Sequence, residues 1–223
     1  TGLPYKEFYG RNLDKMPELV GEGRIPLSVS GLMKRKLEVS DRTRFSYRVR
    51  SACMDNCFDT GDGVIYHPDG MVKVVLDAQP LREINPRSRR SARALILPDG
   101  MYELLEGQEF TRRQLQRYTG KWLSSQETKS NPLWQTLARD PNLLNDCVDL
   151  IFAQAKQRFG YDANMGLYVA DKPKQEEARL WNVYSLADRS DASGECRLDD
   201  SNGRLVGIVP EARSATLVAS PTM

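Results

Sequence analysis

The sequence predicts an α+β protein, and three observations lead to that class. Apolar residues recur at three- and four-residue intervals near the start and after Pro141, β-rich runs flank a strong turn at His67-Pro68-Asp69-Gly70, and short extended stretches follow the second helical region. The expected layout is a helical N-terminal part, a hairpin-rich middle, a long core helix and a small C-terminal β element.

Leu13, Met16, Leu19 and Val20 have helical spacing, and Gly21-Glu22-Gly23 ends the run. After Pro26, Ser28 or Ser30 can cap a second helix carrying Leu32, Met33 and Leu37. Val39-Ser40-Asp41 breaks it, and a third apolar-periodic piece surrounds Phe45, Tyr47 and Val49. Val64-Ile65-Tyr66 and Met71–Leu76 read as a hairpin across the Pro-Asp-Gly turn. A second Pro-Asp-Gly-Met at Pro98–Met101, after strand-like Ala94–Leu97, suggests a second and related hairpin, with basic Pro80–Arg93 between them as an exposed loop or arm.

Thr111 can cap a helix through Leu115 and Tyr118 that stops near Gly120, and Ser130-Asn131-Pro132 starts another over Leu133–Ala138. Leu144, Val148, Ile151, Phe152, Ala155 and Phe159 mark the longest helix, which Gly160 ends. Gly166–Ala170 and Ala178–Leu186 read as extended segments. Arg204–Val209 reads as a last strand paired across the Asp199–Gly203 turn, and the tail from Glu211 lacks periodicity and is expected to be poorly ordered.

With 223 residues, 40% of them hydrophobic and 28% charged, the chain can bury a sizeable core and is expected to be a folded, soluble protein. A single domain over 1–223 is the simplest organisation; a division would fall between 1–139 and 140–223. No run approaches the ~18 apolar residues that span a bilayer, so no membrane partner is expected. The chain opens on Thr1 rather than Met, as a chain processed or trimmed ahead of that residue would, and a preceding segment is left open. Four scattered cysteines, Cys53, Cys57, Cys147 and Cys196, suggest no disulfide framework and point to a reducing, cytoplasmic compartment. Cys53 and Cys57 together lack the two further soft ligands that a structural zinc needs.

The net charge of +2 conceals an asymmetry, with 23 Lys/Arg against 17 Asp/Glu in 1–139 and 9 against 13 in 140–223. The basic excess is bunched, which points to an anionic partner. Leu37, Val39, Ser40 and Thr43 resemble the second-helix entry of a helix-turn-helix DNA-binding unit, placing Arg42, Arg44 and Arg48 on a recognition helix, with Lys34, Arg35 and Lys36 ahead of it. Glu38 stands where that motif takes a tight turn, and Arg44 where it takes an apolar residue. Arg87, Arg89, Arg90 and Arg93, with Arg112 and Arg113 beyond, have the density of an arm that lies along phosphates.

An alternative site is the carboxylate-rich stretch of Asp55, Asp59 and Asp62 with His67, the lone histidine. Such a cluster can hold a divalent cation and activate water, as hydrolases do, although tight turns require the same residue types. Phe58-Asp59-Thr60-Gly61-Asp62 followed by Pro68-Asp69-Gly70 also resembles the Thr-Gly-Asp segment and following hairpin of the adenylate-forming acyl synthetase superfamily. In that family the residue matching Asp62 holds the ATP ribose. The match is short and local, with no Ser/Thr/Gly-rich phosphate loop and Asp77-Ala78-Gln79 in place of the hinge, so no ATP chemistry is assigned from it.

The leading functional expectation is therefore a non-enzymatic binding protein that contacts nucleic acid through its basic segments, without a cofactor. A metal-dependent, hydrolase-like enzyme is the second, with a divalent cation at Asp55–Asp69. A structural or interaction module with a protein partner or a second copy of itself is the third.

Overall fold

In the computed structural model, which describes residues 5–41 and 43–210, strand β1 (Tyr5–Tyr9) leads to helix α1 (Asn12–Gly21), which buries Leu13, Met16 and Leu19 on one stripe. After β2 (Ile25–Pro26), the Ser28 hydroxyl accepts from the Gly31 amide and opens α2 (Val29–Ser40). Ser46 does the same for α3 (Tyr47–Met54). β3 (Phe58–Tyr66) and β4 (Met71–Val75) form the expected hairpin, in which the His67 amide donates to the Met71 carbonyl and the Asp69 carboxylate accepts from the Met71 amide.

Short α4 (Gln79–Arg82), β5 (Arg90–Ser91), β6 (Ala94–Ile96), α5 (Met101–Leu104) and β7 (Gln108–Thr111) follow. Reciprocal capping by Thr111 and Gln114 turns β7 into α6 (Arg112–Leu115), and Ser124 with Glu127 starts α7 (Ser125–Ser130). Asn131 caps α8 (Pro132–Ala138), Asp140 caps α9 (Pro141–Phe159), and Gly160 at φ 74° ends it. β8 (Leu167–Tyr168), β9 (Glu177–Val183), β10 (Ala192–Ser193) and β11 (Arg204–Ile208) complete the described chain.

The strands form one mixed sheet in the order β1-β11-β3-β9-β10-β8, with β2 on β11, β4 on β3, β7 on β4, β6 on β9 and β5 on β6. It draws strands from both the basic and the acidic part of the chain. β1 and β11 are antiparallel, Tyr5 opposite Ile208, so the two ends of the described chain lie side by side. All nine residues of β3 are buried, because the sheet is covered on both faces. On one face Val64, Tyr66 and Trp181 pack with Met33, Trp134, Val148 and Ile151 of α2, α8 and α9. On the other, Ile65, Leu180 and Leu205 pack with Leu13, Met16 and Leu19 of α1 and with Leu81. Among the described residues no helix is long and apolar enough to cross a membrane.

Three local expectations change. The second hairpin lies at β5–β6, not at Pro98–Met101: Arg90 pairs with Leu95 and Ser91 with Ala94, while Gly100, at φ 78°, starts α5. β11 pairs with β1, β2 and β3 rather than folding back across Asp199–Gly203, because its two faces are needed between the cores. Pro80–Arg93 is not a free arm, since it contains α4 and β5. Arg42 and the tail from Glu211 lie outside the described residues.

The β5–β6 turn places Ala92 at φ 45° and Arg93 at φ 67°. Both central residues of a two-residue loop with positive φ favour Asn-Gly, and other L-residues are strained there. The double substitution Ala92→Asn with Arg93→Gly is expected to raise unfolding stability by about 1 kcal/mol. A lowered urea midpoint would contradict this account of the turn.

Candidate functional site

The basic residues are distributed over separate elements. Lys34, Arg44 and Arg48 are exposed, while Arg35 pairs with Glu38 at 2.7 Å and lies over the rings of Tyr5 and Phe45. Lys36 is only 3% exposed, on the face of α2 that packs into the core. Arg87 and Arg89 are exposed; Arg90 and Arg93 face Asp199 at 3.6 and 3.7 Å. The charge asymmetry is thus partly neutralised within the chain. Exposed ion pairs are worth little, so Asp199→Ala is expected to change stability by less than about 1 kcal/mol, readable by urea titration. Arg112 donates to the Ala170 carbonyl at 2.8 Å, and Arg113 is exposed.

The proposed metal residues do not converge. Asp55 accepts from Arg158 and Ser51, and His67 lies 2.7 Å from the Asp69 carboxylate with its ring tilted at 49° to that of Tyr102. Both Asp59 and Asp62 sit inside β3 with their oxygens occupied by protein donors. Among the described residues no three His, Cys, Asp or Glu side chains gather as metal ligands. Turn chemistry misled here: the Asp-Gly pairs belong to a buried strand whose ladder with β9 is interrupted between Asp59 and Gly63.

That interruption builds the site. Asp59 Oδ1 accepts from Asn182 Nδ2 at 2.7 Å and from the Cys196 thiol at 3.0 Å; its Oδ2 accepts from Asn12 Nδ2 and the Arg204 amide, both at 3.0 Å. This knot of β3, β9, α1 and the segment before β11 forms the floor of a cleft of about 910 Å³. Gly203 is required beside it, because a Cβ there would lie 2.6 Å from the Gly10 carbonyl oxygen.

Two buried side chains hold the cleft walls. Arg179, 7% exposed, donates to the carbonyls of Ala92, Glu195 and Cys196. Tyr66, 1% exposed, donates to the Gly194 carbonyl at 2.9 Å and accepts from the Ala170 amide at 3.0 Å, so one hydroxyl ties together the neighbouring segments that leave β8 and β10 towards the opening. The rim carries both signs of charge, with Lys172, Lys174 and Arg197 beside Asp171, Glu195 and Asp200. A smaller pocket continues from it behind Tyr184 and Glu195, which line both.

The floor is chemically quiet. Asp59 spends its acceptor capacity on four donors. Burial and the adjacent Asp59 carboxylate push the Cys196 thiol well above its usual range, which keeps it protonated and a poor nucleophile. Sequence reasoning missed Tyr66, Asn182, Tyr184 and Cys196, since they are scattered over 130 residues and no local motif joins them; only the Asp/Ser/Gly-rich stretch from Ser190 to Asn202 was visible, as a loop.

No family model and no curated protein sequence matches the chain. A solved structure described as the accommodation of massive sequence variation in Nanoarchaeota by the C-type lectin fold superposes with a TM-score of 0.65, covering 92% of this chain and 97% of its own, at 16% identity. That likeness overturns the helix-turn-helix, DNA-binding expectation, and the packing explains why. α2 turns Leu32, Met33, Lys36 and Val39 into the core, and α3 buries Cys53 and Met54, so neither is a helix held out for a groove. By structure the chain shares the C-type lectin fold, in which the segments around Asp59, Asn182 and Cys196 build a braced polar cleft.

Proposed function

We propose that the protein is a non-enzymatic recognition module that takes a charged segment of a protein partner into the cleft above Asp59. The observation that carries this reading is the combination of a rim bearing both charges with walls fixed by Tyr66 and Arg179. A rigid opening loses little entropy on binding, and paired charges select an oppositely patterned partner. The unreactive floor favours binding over turnover. The Nanoarchaeota structure is described as accommodating massive sequence variation by the C-type lectin fold, and a fold that tolerates such variation suits a recognition module. In this chain the exposed rim residues Asp171, Lys172, Lys174, Glu195, Arg197 and Asp200 stand over a buried frame.

The experiment is a screen on peptide and glycan arrays, comparing wild type with two charge-reversal variants. Lys174→Glu with Asp200→Lys alters the cleft rim; Lys34→Glu with Arg48→Glu alters exposed positions on α2 and α3. Saturable binding to charged peptides is expected, weakened at least about tenfold by the rim pair and unchanged by the helix pair. Binding confined to glycans, or binding that only the helix pair removes, would overturn the reading.

A further inference from the structure

The smaller pocket behind Tyr184 has a chemistry of its own. Its volume is about 450 Å³, and its walls are Trp122, Tyr168 and Tyr184, with Asp188, Asp191 and Glu195 between them. Trp122 and Tyr168 meet edge to face with ring centres 5.8 Å apart. Asp188 and Glu195 are exposed, but Asp191 is only 6% exposed, and its Oδ1 is buried without a hydrogen-bond partner. Buried carboxylate oxygens are ordinarily paired, so an orphan at a pocket wall marks a missing donor.

No described cation pairs with it. Among the described residues none of the three acids forms an ion pair. Arg189, which lines the same pocket, forms no ion pair with them: its guanidinium lies 4.3 Å from the centre of the Tyr161 ring and 5.3 Å from that of Trp122, so one edge of the aromatic wall already carries a cation. Burial and the facing charges of Asp188 and Glu195 push the Asp191 carboxyl up to about 7, as expected for an acid lacking a positive partner. Among the described residues no three His, Cys, Asp or Glu side chains gather as metal ligands, and an inorganic ion would leave the aromatic walls without a role.

We propose that this pocket binds an organic cation, an ammonium or guanidinium group of the kind a Lys or Arg side chain presents, with its charge on Asp191 and its alkyl or planar portion against Trp122, Tyr168 and Tyr184. The aromatic faces attract such cations, and desolvation strengthens the contact. The inference rests on the proposed reading of this face as a recognition surface, and it names the anchor that a partner would insert beside the larger cleft. Arg189 and Ser193 also line the pocket, with the Arg189 guanidinium held against the Trp122 and Tyr161 rings rather than on Asp191.

The test titrates the full chain with n-butylammonium, methylguanidinium and neutral n-butanol, and separately with blocked Gly-Lys-Gly and Gly-Arg-Gly peptides. The Trp122 indole N–H resonance is the readout, since Trp134 and Trp181 are buried. Both cations are expected to shift it saturably with Kd near the millimolar range, at least about tenfold weaker in Asp191→Asn. Asp188→Asn with Glu195→Gln, at exposed positions that cannot unfold the core, should also weaken binding. Tighter binding by the peptides than by the free cations identifies a protein-borne source; the reverse identifies a free amine. A shift of equal size with n-butanol, no shift from either cation, or unchanged binding in Asp191→Asn would overturn the proposal. Retained peptide binding sensitive to the Lys174/Asp200 pair, in that event, would leave the cleft reading standing.

Discussion

Asp62→Ala is expected to cost about 3–5 kcal/mol of unfolding stability, mostly from two buried backbone amides left without their acceptor. Asp62 has no exposed surface. Its Oδ2 accepts from the Val29 amide at 2.8 Å, at the first turn of α2, where a negative charge also meets the positive end of the helix. Its Oδ1 accepts from the Asp77 amide at 3.0 Å and from Arg139 Nη2 at 2.6 Å, at the end of α8. One carboxylate therefore joins β3 to the start of α2, the end of β4 and the α8–α9 junction. Alanine leaves two backbone amides without an acceptor and strands part of the Arg139 charge, although Arg139 keeps Asp77 at 2.7 Å. Thermal unfolding should drop by about 6–20 °C. A loss below about 1 kcal/mol would show that the surrounding donors re-pair easily, contrary to their depth in the fold.

Asp191→Asn should act in the opposite direction. The folded protein holds the Asp191 carboxyl at about 7 through burial, Asp188 and Glu195, whereas an unfolded chain releases that proton near pH 4. Between those values the folded state binds more protons, so stability falls as pH rises from about 4 to about 7 and stays reduced above. Asparagine cannot ionise and escapes this loss. The variant is expected to gain up to about 4 kcal/mol over wild type at pH 8, with little difference at pH 4, in urea titrations at the two values. Equal effects at both pH values, or destabilisation at pH 8, would contradict the assignment of a buried, unpartnered acid. Such a gain would be the trade of stability for function expected of a site kept for a ligand.

How much of this was legible in the sequence depends on the range of the signal. The α9 helix announced itself through Leu144, Val148, Ile151 and Ala155, all of which are buried, and through the Gly160 stop. The His67–Gly70 hairpin and the Asn131-Pro132 helix start were equally local, and they stand as read. β5, β8 and β10 have two residues each and exist because a longer neighbour offers them hydrogen bonds, so no periodicity could reveal them. The β1–β11 pairing joins residues some 200 positions apart and leaves no local trace. Asp59 and Asp62 were singled out, but the turn-like Asp-Gly composition hid that they stand in the most buried strand, where a carboxylate organises backbone donors. The clustered arginines were real, yet Arg90, Arg93 and Asp199 show that charge runs far apart in sequence can answer one another in the fold. Trp122, Tyr168 and Asp191 come from three separate segments, and only the fold makes them neighbours.

The most direct measurement is hydrogen–deuterium exchange on the full chain with and without the best array peptide. The account predicts protection confined to residues 170–174 and 182–203, with the amides of α2 and α3 unchanged. Protection centred on Lys34–Arg48, with no change at Tyr184 or Asp191, would place recognition outside the cleft and contradict it.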